Sequence, residues 1–155
     1  MTSNRTARGT QGARGLSAEA EAVVALRRTA AALDHALSDV LKPSGLTATQ
    51  YNVLRILRGA GAQGLCGREV GERMIASVPD VPRMLERMAE AGLVAREADP
   101  RDRRHTTARI TAKGLKLLDA LAPAIGGLHR RMMHGVDHEQ LRTLTGLLAR
   151  VQANV

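Results

Sequence analysis

One stretch constrains this chain more than any other. Between Leu93 and Ile110 the helical spacing of apolar residues stops, and two short extended pieces, 93–98 and 106–110, flank the turn Asp99-Pro100-Arg101-Asp102-Arg103-Arg104. Two short strands around a charged tip read as a hairpin, although this turn is longer than the tight two-residue type. Arg101, Arg103, Arg104 and Arg109 lie close together with Asp102 as the opposing charge among them. A hairpin tip holds such side chains out on a narrow support, and a narrow minor groove of DNA attracts an inserted arginine. Asp102 sits where it can pair with a neighbouring arginine and set the shape of the tip. Taken alone, the segment is equally well an ordinary charged turn.

What surrounds the hairpin decides its meaning. From Ser17, Val23, Leu26, Ala30, Leu33, Leu37 and Val40 recur at steps of three and four, which predicts a helix that Pro43 and Gly45 end. Thr47 and Gln50 form a capping box opening a second helix with Tyr51, Leu54 and Leu57 inward. Cys66-x-x-Glu69 starts a short third helix, and a fourth runs from about Asp80 to Ala91 with Met84, Leu85 and Met88 inward and Gly92 as its left-handed cap. After the hairpin, Thr111 caps a long helix that Pro123 is expected to kink or weaken and Gly135 ends. Asp137 and Gln140 cap a last helix with Leu141, Leu144, Leu148 and Val151 on one face.

The central order is that of a helix-turn-helix with a β-wing. In such motifs the second helix enters the major groove with its N-terminal residues at the base edges. Here the turn is Ile75-Ala76-Ser77-Val78. Ser77, Val78, Asp80, Arg83 and Arg87, with Arg73 just before the turn, are the candidate DNA-facing residues, because arginine pairs with guanine or grips phosphate. A solvated helix face is the plain alternative. Pro82 is tolerable only if the helix begins near Asp80, with Asp80 as the N-cap and Pro82 an early helical residue.

Charge and aromatic content narrow the partner. With 23 Lys and Arg against 15 Asp and Glu, the formal charge is +8, which favours an anionic partner. Tyr51 is the only aromatic residue apart from histidine, so base stacking on aromatic rings, the usual device for single strands, has almost nothing to work with. Duplex DNA is the better fit, unless arginine is merely common in the source genome. Residues 1–16 carry Arg5, Arg8 and Arg14 among small polar residues and are expected to form a disordered basic arm. No apolar run approaches a membrane span and the start lacks the apolar core of a signal peptide, so the expected location is cytoplasmic.

Several segments together resemble the MarR family of bacterial regulators. They are Glu69-Val70-Gly71-Glu72-Arg73-Met74, Val81-Pro82-Arg83-Met84-Leu85-Glu86-Arg87-Met88, Gly92-Leu93-Val94, the D-x-x-D-R-R run from Asp99 to Arg104, and Ile110-Thr111-Ala112-Lys113-Gly114. The pairing of D-x-x-D-R-R with L-T-x-x-G at this spacing is the specific part. The resemblance implies a mainly α fold with a small β-wing. It divides residues 17–155 into a winged helix-turn-helix core, about 47–111, and dimerisation helices, about 17–42 and 112–153. It also implies a homodimer on a pseudo-palindromic duplex, a wing arginine at Arg103 entering the minor groove, and a repressor released by a small aromatic or anionic effector. For such an effector His35, Tyr51, Asn52, Arg55 and His129 are the candidates, with core packing of Tyr51 and surface placement of Arg55 as the bland alternative.

Two further regulatory readings and one rival remain. Cys66 stands at a helix N-cap, where a thiol becomes more acidic, and suggests redox sensing. The family's peroxide sensors place their cysteine in the first helix, which has none here. His134 and His138, with His129 nearby, hint at zinc, but Gly135 and the cap at Asp137 interrupt that geometry, so no metal or cofactor is expected. A non-specific architectural DNA-binding protein is the rival class. No nucleophile–base pair or glycine-rich phosphate loop points to an enzyme.

Overall fold

The computed structural model describes residues 16–98 and 106–154. The chain divides into two compact units, residues 1–33 and 34–155. In the first unit the described residues are the start of a long helix, α1 (Ala18–Leu41), entered through Ser17, whose hydroxyl accepts from the Ala20 N–H. None of residues 16–33 is buried, and Val23, on the apolar stripe, is 54% exposed.

The second unit holds the core. A 3-10 turn over Lys42–Ser44 ends at Gly45 and leads to α2 (Ala48–Ala60), whose capping box joins Thr47 and Gln50 as the sequence predicts. A second 3-10 turn passes into β1 (Leu65–Cys66), and α3 (Gly67–Arg73), α4 (Val81–Glu90), β2 (Val94–Ala98), β3 (Thr106–Ile110), α5 (Ala112–Met132) and α6 (His138–Gln152) follow. Strand order is β1-β3-β2, antiparallel throughout, with Leu65 opposite Ala108 and Val94 opposite Ile110. The hairpin is thus the expected wing with one added strand. Two residues are too short for an alternating pattern, so β1 leaves no mark in the sequence.

Val53, Leu54 and Leu57 of α2 pack with Val70 of α3, Val81, Met84, Leu85 and Met88 of α4, Val94 and Ala108 of the sheet, and Leu118, Leu121 and Ile125 of α5. The core therefore clamps α4 and the wing base to one support. Gly92, at φ +72°, makes the left-handed exit from α4 that lets the Leu93 N–H return to the Met88 carbonyl. Thr111 locks the far side. Its hydroxyl donates to the Gly92 carbonyl at 2.7 Å and accepts from the Gly114 N–H at 3.1 Å. A Cβ on Gly114 would lie 2.5 Å from the Leu93 carbonyl oxygen, so the T-x-x-G run joins α5 to the wing at a distance that admits no side chain.

Pro123 does not break α5, which runs continuously through it. The carbonyl it deprives of a partner is that of Asp119, and both residues are exposed, where water can take the bond. The outward face of α6 is unusual. No residue of this helix is buried, and Leu144, Leu147 and Val151 are 40%, 51% and 47% exposed.

Candidate nucleic-acid interface

The helix α4, the candidate for the major groove, is shaped by its first turn. Asp80 is the N-cap of α4, and its Oδ1 accepts from the Arg83 N–H at 2.9 Å. Pro82 then falls in the first turn, where no intrahelical N–H bond is lost. With Val81, Met84, Leu85 and Met88 buried, helical geometry turns Pro82, Arg83, Glu86, Arg87 and Glu90 to solvent. Arg83 and Arg87, one turn apart, share an exposed face.

Not every charge on that face is available. Glu86 Oε1 accepts from Arg96 Nη1 of β2 at 3.0 Å, an ion pair that ties the recognition helix to the wing. Arg109 is similarly committed: its Nη1 pairs with Glu97 across the hairpin, and its Nε donates to the Ala62 carbonyl at 2.6 Å. Although it stands close in sequence to the wing arginines, Arg109 braces the hairpin against the segment before β1. Among the described residues, no ion pair engages Arg83 or Arg87.

The other sequence candidates fall as follows. Arg73 is exposed at the end of α3, Ser77 is exposed in the turn, and Val78 is half-buried and packed against the core. Arg101, Asp102, Arg103 and Arg104 lie outside the described residues, between the strand ends Ala98 and Thr106. Cys66 is half-buried at the N-cap of α3, and its backbone N–H donates to Glu69 Oε2 at 2.8 Å. Hydrogen bonds from that N–H and then from the Cys66 side chain hold the half-buried Glu69 carboxyl below the usual carboxylate range. Asp137 serves as the cap of α6, its Oδ1 accepting from the Gln140 N–H at 2.9 Å.

Four of the five effector candidates meet around one cavity of about 310 Å³. Tyr51, Asn52 and Arg55 line it from α2 and His129 from α5. Asp34 and Leu37 of α1 and the turn residues Met74, Ile75 and Ala76 complete the wall. The Arg55 guanidinium lies 6.0 Å from the Tyr51 ring centre, at the outer reach of a cation–π contact. The fifth, His35, lies outside the lining. It is exposed, with Nε2 3.6 Å from Asp39 Oδ2 on its own helix. A second cavity, about 460 Å³, shares Tyr51, Arg55 and His129 and extends between α2 and α5 to Arg58 and Ile125. Sequence reasoning missed Glu86, Arg96 and Glu97, because each works through a partner on another element.

The arrangement suits a duplex: an exposed helix face presenting Arg83 and Arg87, an attached hairpin, and little aromatic surface. Among the described residues no helix is long and apolar enough to cross a membrane. Comparison with known proteins agrees with this geometry. The MarR family pattern matches residues 46–106. The chain is 27% identical over 131 residues to the HTH-type transcriptional regulator MhqR of Bacillus subtilis, covering 84% of this chain and 89% of that one. It is 30% identical to a MarR transcription factor of Planctomyces limnophilus with a TM-score of 0.68, covering 88% of this chain and 98% of the other. Its fold also matches a mutant MarR of Escherichia coli complexed with operator DNA, at 24% identity and a TM-score of 0.75 over 84% and 93% of the two chains. The chain belongs to the MarR family of winged-helix transcriptional regulators, which bind DNA and are not enzymes.

Proposed function

We propose that two copies of this chain bind a pseudo-palindromic operator and repress transcription until a small ligand enters the cavity beside Asn52, Arg55 and His129. The observation that carries the DNA-binding part is the exposed Arg83–Arg87 face fastened to the wing by Glu86 and Arg96. Arg83 and Arg87 reach base edges or phosphates in the major groove, while Arg103 at the wing tip reaches the adjacent minor groove. Asp80 caps the helix and so sets where those arginines begin.

Dimerisation is supported by α6 and by residues 16–33, which carry apolar side chains that nothing buries. A symmetric pair presents two recognition helices to successive major-groove faces, about one helical turn of DNA apart. The effector part rests on the cavity. Its volume suits a single-ring acid, Arg55 supplies a guanidinium for a carboxylate, and Leu37 and Met74 supply apolar wall.

The test is binding to the DNA upstream of the protein's own gene against scrambled DNA across a salt series, with Arg103→Ala alongside. Selective binding by ~10³ or more is expected. The variant should bind more weakly, with a log–log salt slope shallower by about one. Equal affinity for both duplexes at every salt refutes that operator and favours the architectural reading.

A further inference from the structure

The turn that leads into the recognition helix has little backbone support of its own. Among the described residues, no backbone–backbone hydrogen bond holds residues 75–79 between the Met74 N–H, which donates to Gly71, and the Asp80 carbonyl, which accepts from Met84. Met74 and Val78 pack against the core at either side. The Ile75 side chain is 90% exposed, so packing does not anchor it. Among the described residues, one polar contact fastens the middle: the Ile75 N–H donates to Asn52 Oδ1 at 3.0 Å, reaching across 23 positions to α2.

We infer that Asn52 is a positioning residue for DNA binding, which sets the approach of α4 by holding Ile75 from α2. Asn52 sits on a helix packed into the core, with Val53 and Leu54 beside it fully buried, so its Cα is a fixed point. The turn ends at Asp80, and the cap at Asp80 fixes the first turn of α4 and with it Arg83. Releasing Ile75 leaves the turn pinned only by Met74 and Val78 and loosens the lead-in to the Asp80 cap and the Arg83 it positions, while the buried Val81, Met84, Leu85 and Met88 keep the body of α4 in the core. An amide acceptor is well suited to this task, because it binds one N–H without placing a full negative charge near the duplex. This inference rests on the operator-binding reading above.

Three forms of the full chain test it: wild type, Asn52→Ala, and Asn52→Asp, which keeps an acceptor at the position. Hydrogen exchange of the Ile75 amide is followed by NMR. Affinity is measured for a duplex that the wild type enriches from a random library. One net hydrogen bond corresponds to a change of about two- to tenfold. Asn52→Ala should speed Ile75 exchange and weaken the enriched duplex by that factor, while amides in the α2 interior keep their protection. Asn52→Asp should keep slow exchange at Ile75. If Asn52→Ala does not fold, Asn52→Leu, of similar volume and without an acceptor, takes its place with the same expectation. Unchanged Ile75 exchange in the acceptor-free variant overturns the inference. So does faster exchange with unchanged affinity, or an Asp variant that exchanges as fast as Ala. If the wild type enriches no duplex, the operator-binding reading itself fails and this inference falls with it. The two failures are therefore distinguishable.

Discussion

Replacing both Leu144 and Leu147 by Asp should abolish self-association while leaving the core intact. Full burial of an aliphatic side chain is worth about 1.5–3 kcal/mol. Leu144, Leu147 and Val151 retain 40%, 51% and 47% of their exposure, so roughly half of that gain is still unrealised at each. The two replaced residues account for about 1.5–3 kcal/mol per chain, and a two-fold interface counts them twice, for about 3–6 kcal/mol. That corresponds to a dissociation constant about 10²- to 10⁴-fold weaker in the double variant, before the added cost of burying carboxylates. Sedimentation equilibrium over a range of protein concentration reads this directly. Circular dichroism checks that α6 remains helical, as its capping box at Asp137 and Gln140 should ensure. Wild type should be dimeric at micromolar concentration and the double variant monomeric. If both share one dissociation constant, the exposed stripe is not the interface and the argument from incomplete burial is refuted.

Other outcomes follow from contacts already described. Asp80→Ala removes the side-chain cap of α4 and should cost about 1 kcal/mol of stability, seen as a lower melting temperature and weaker operator binding; Asp80→Ser should recover most of both. Glu86→Gln should raise affinity for scrambled DNA by removing a carboxylate from the groove face. It should also lower the operator-to-scrambled affinity ratio by freeing Arg96, and parallel titrations that show an unchanged ratio would count against the bridge. The Glu69 carboxyl is held below its ordinary value of 4.5 by bonds from Cys66, so the folded state binds its proton less readily than the unfolded chain does. Its contribution is present above that value and is lost as pH falls through the lower folded value. Glu69→Gln should therefore lose less melting temperature than wild type between pH 5 and strongly acidic pH, compared within each protein's own series.

Local chemistry carried much of the fold into the sequence. Thr47 with Gln50, Asp137 with Gln140, Asp80 before Pro82, and Gly92 after α4 each announce an element boundary, because caps are made between residues close along the chain. The hairpin was legible for the same reason. The placement of the site's polar groups was not. Glu86 meets Arg96, Arg109 meets Ala62, and Asn52 meets Ile75 only after the helices and sheet have packed, and no periodicity marks those pairs. His35 illustrates the limit: it shares α1 with Asp34 and Leu37, but lies outside the cavity lining while they form part of it. Pro123 shows that a residue lacking an N–H can stay inside a continuous helix where the deprived carbonyl faces water.

The bond between Glu86 and Arg96 also bears on how a regulator of this kind changes its targets over generations. On the proposed reading, in which Arg83 and Arg87 meet the bases, positions 83 and 87 can drift singly, each change trading one base preference for another without disturbing the scaffold. A new residue at 86 also removes the ion pair with Arg96, so it alters the tie to the wing along with the exposed face. Retargeting through 86 is thus coupled to position 96, in either order passing through an intermediate without that tie. Lineages descended from such a chain should therefore diversify their operators first through 83 and 87, with 86 and 96 changing as a pair.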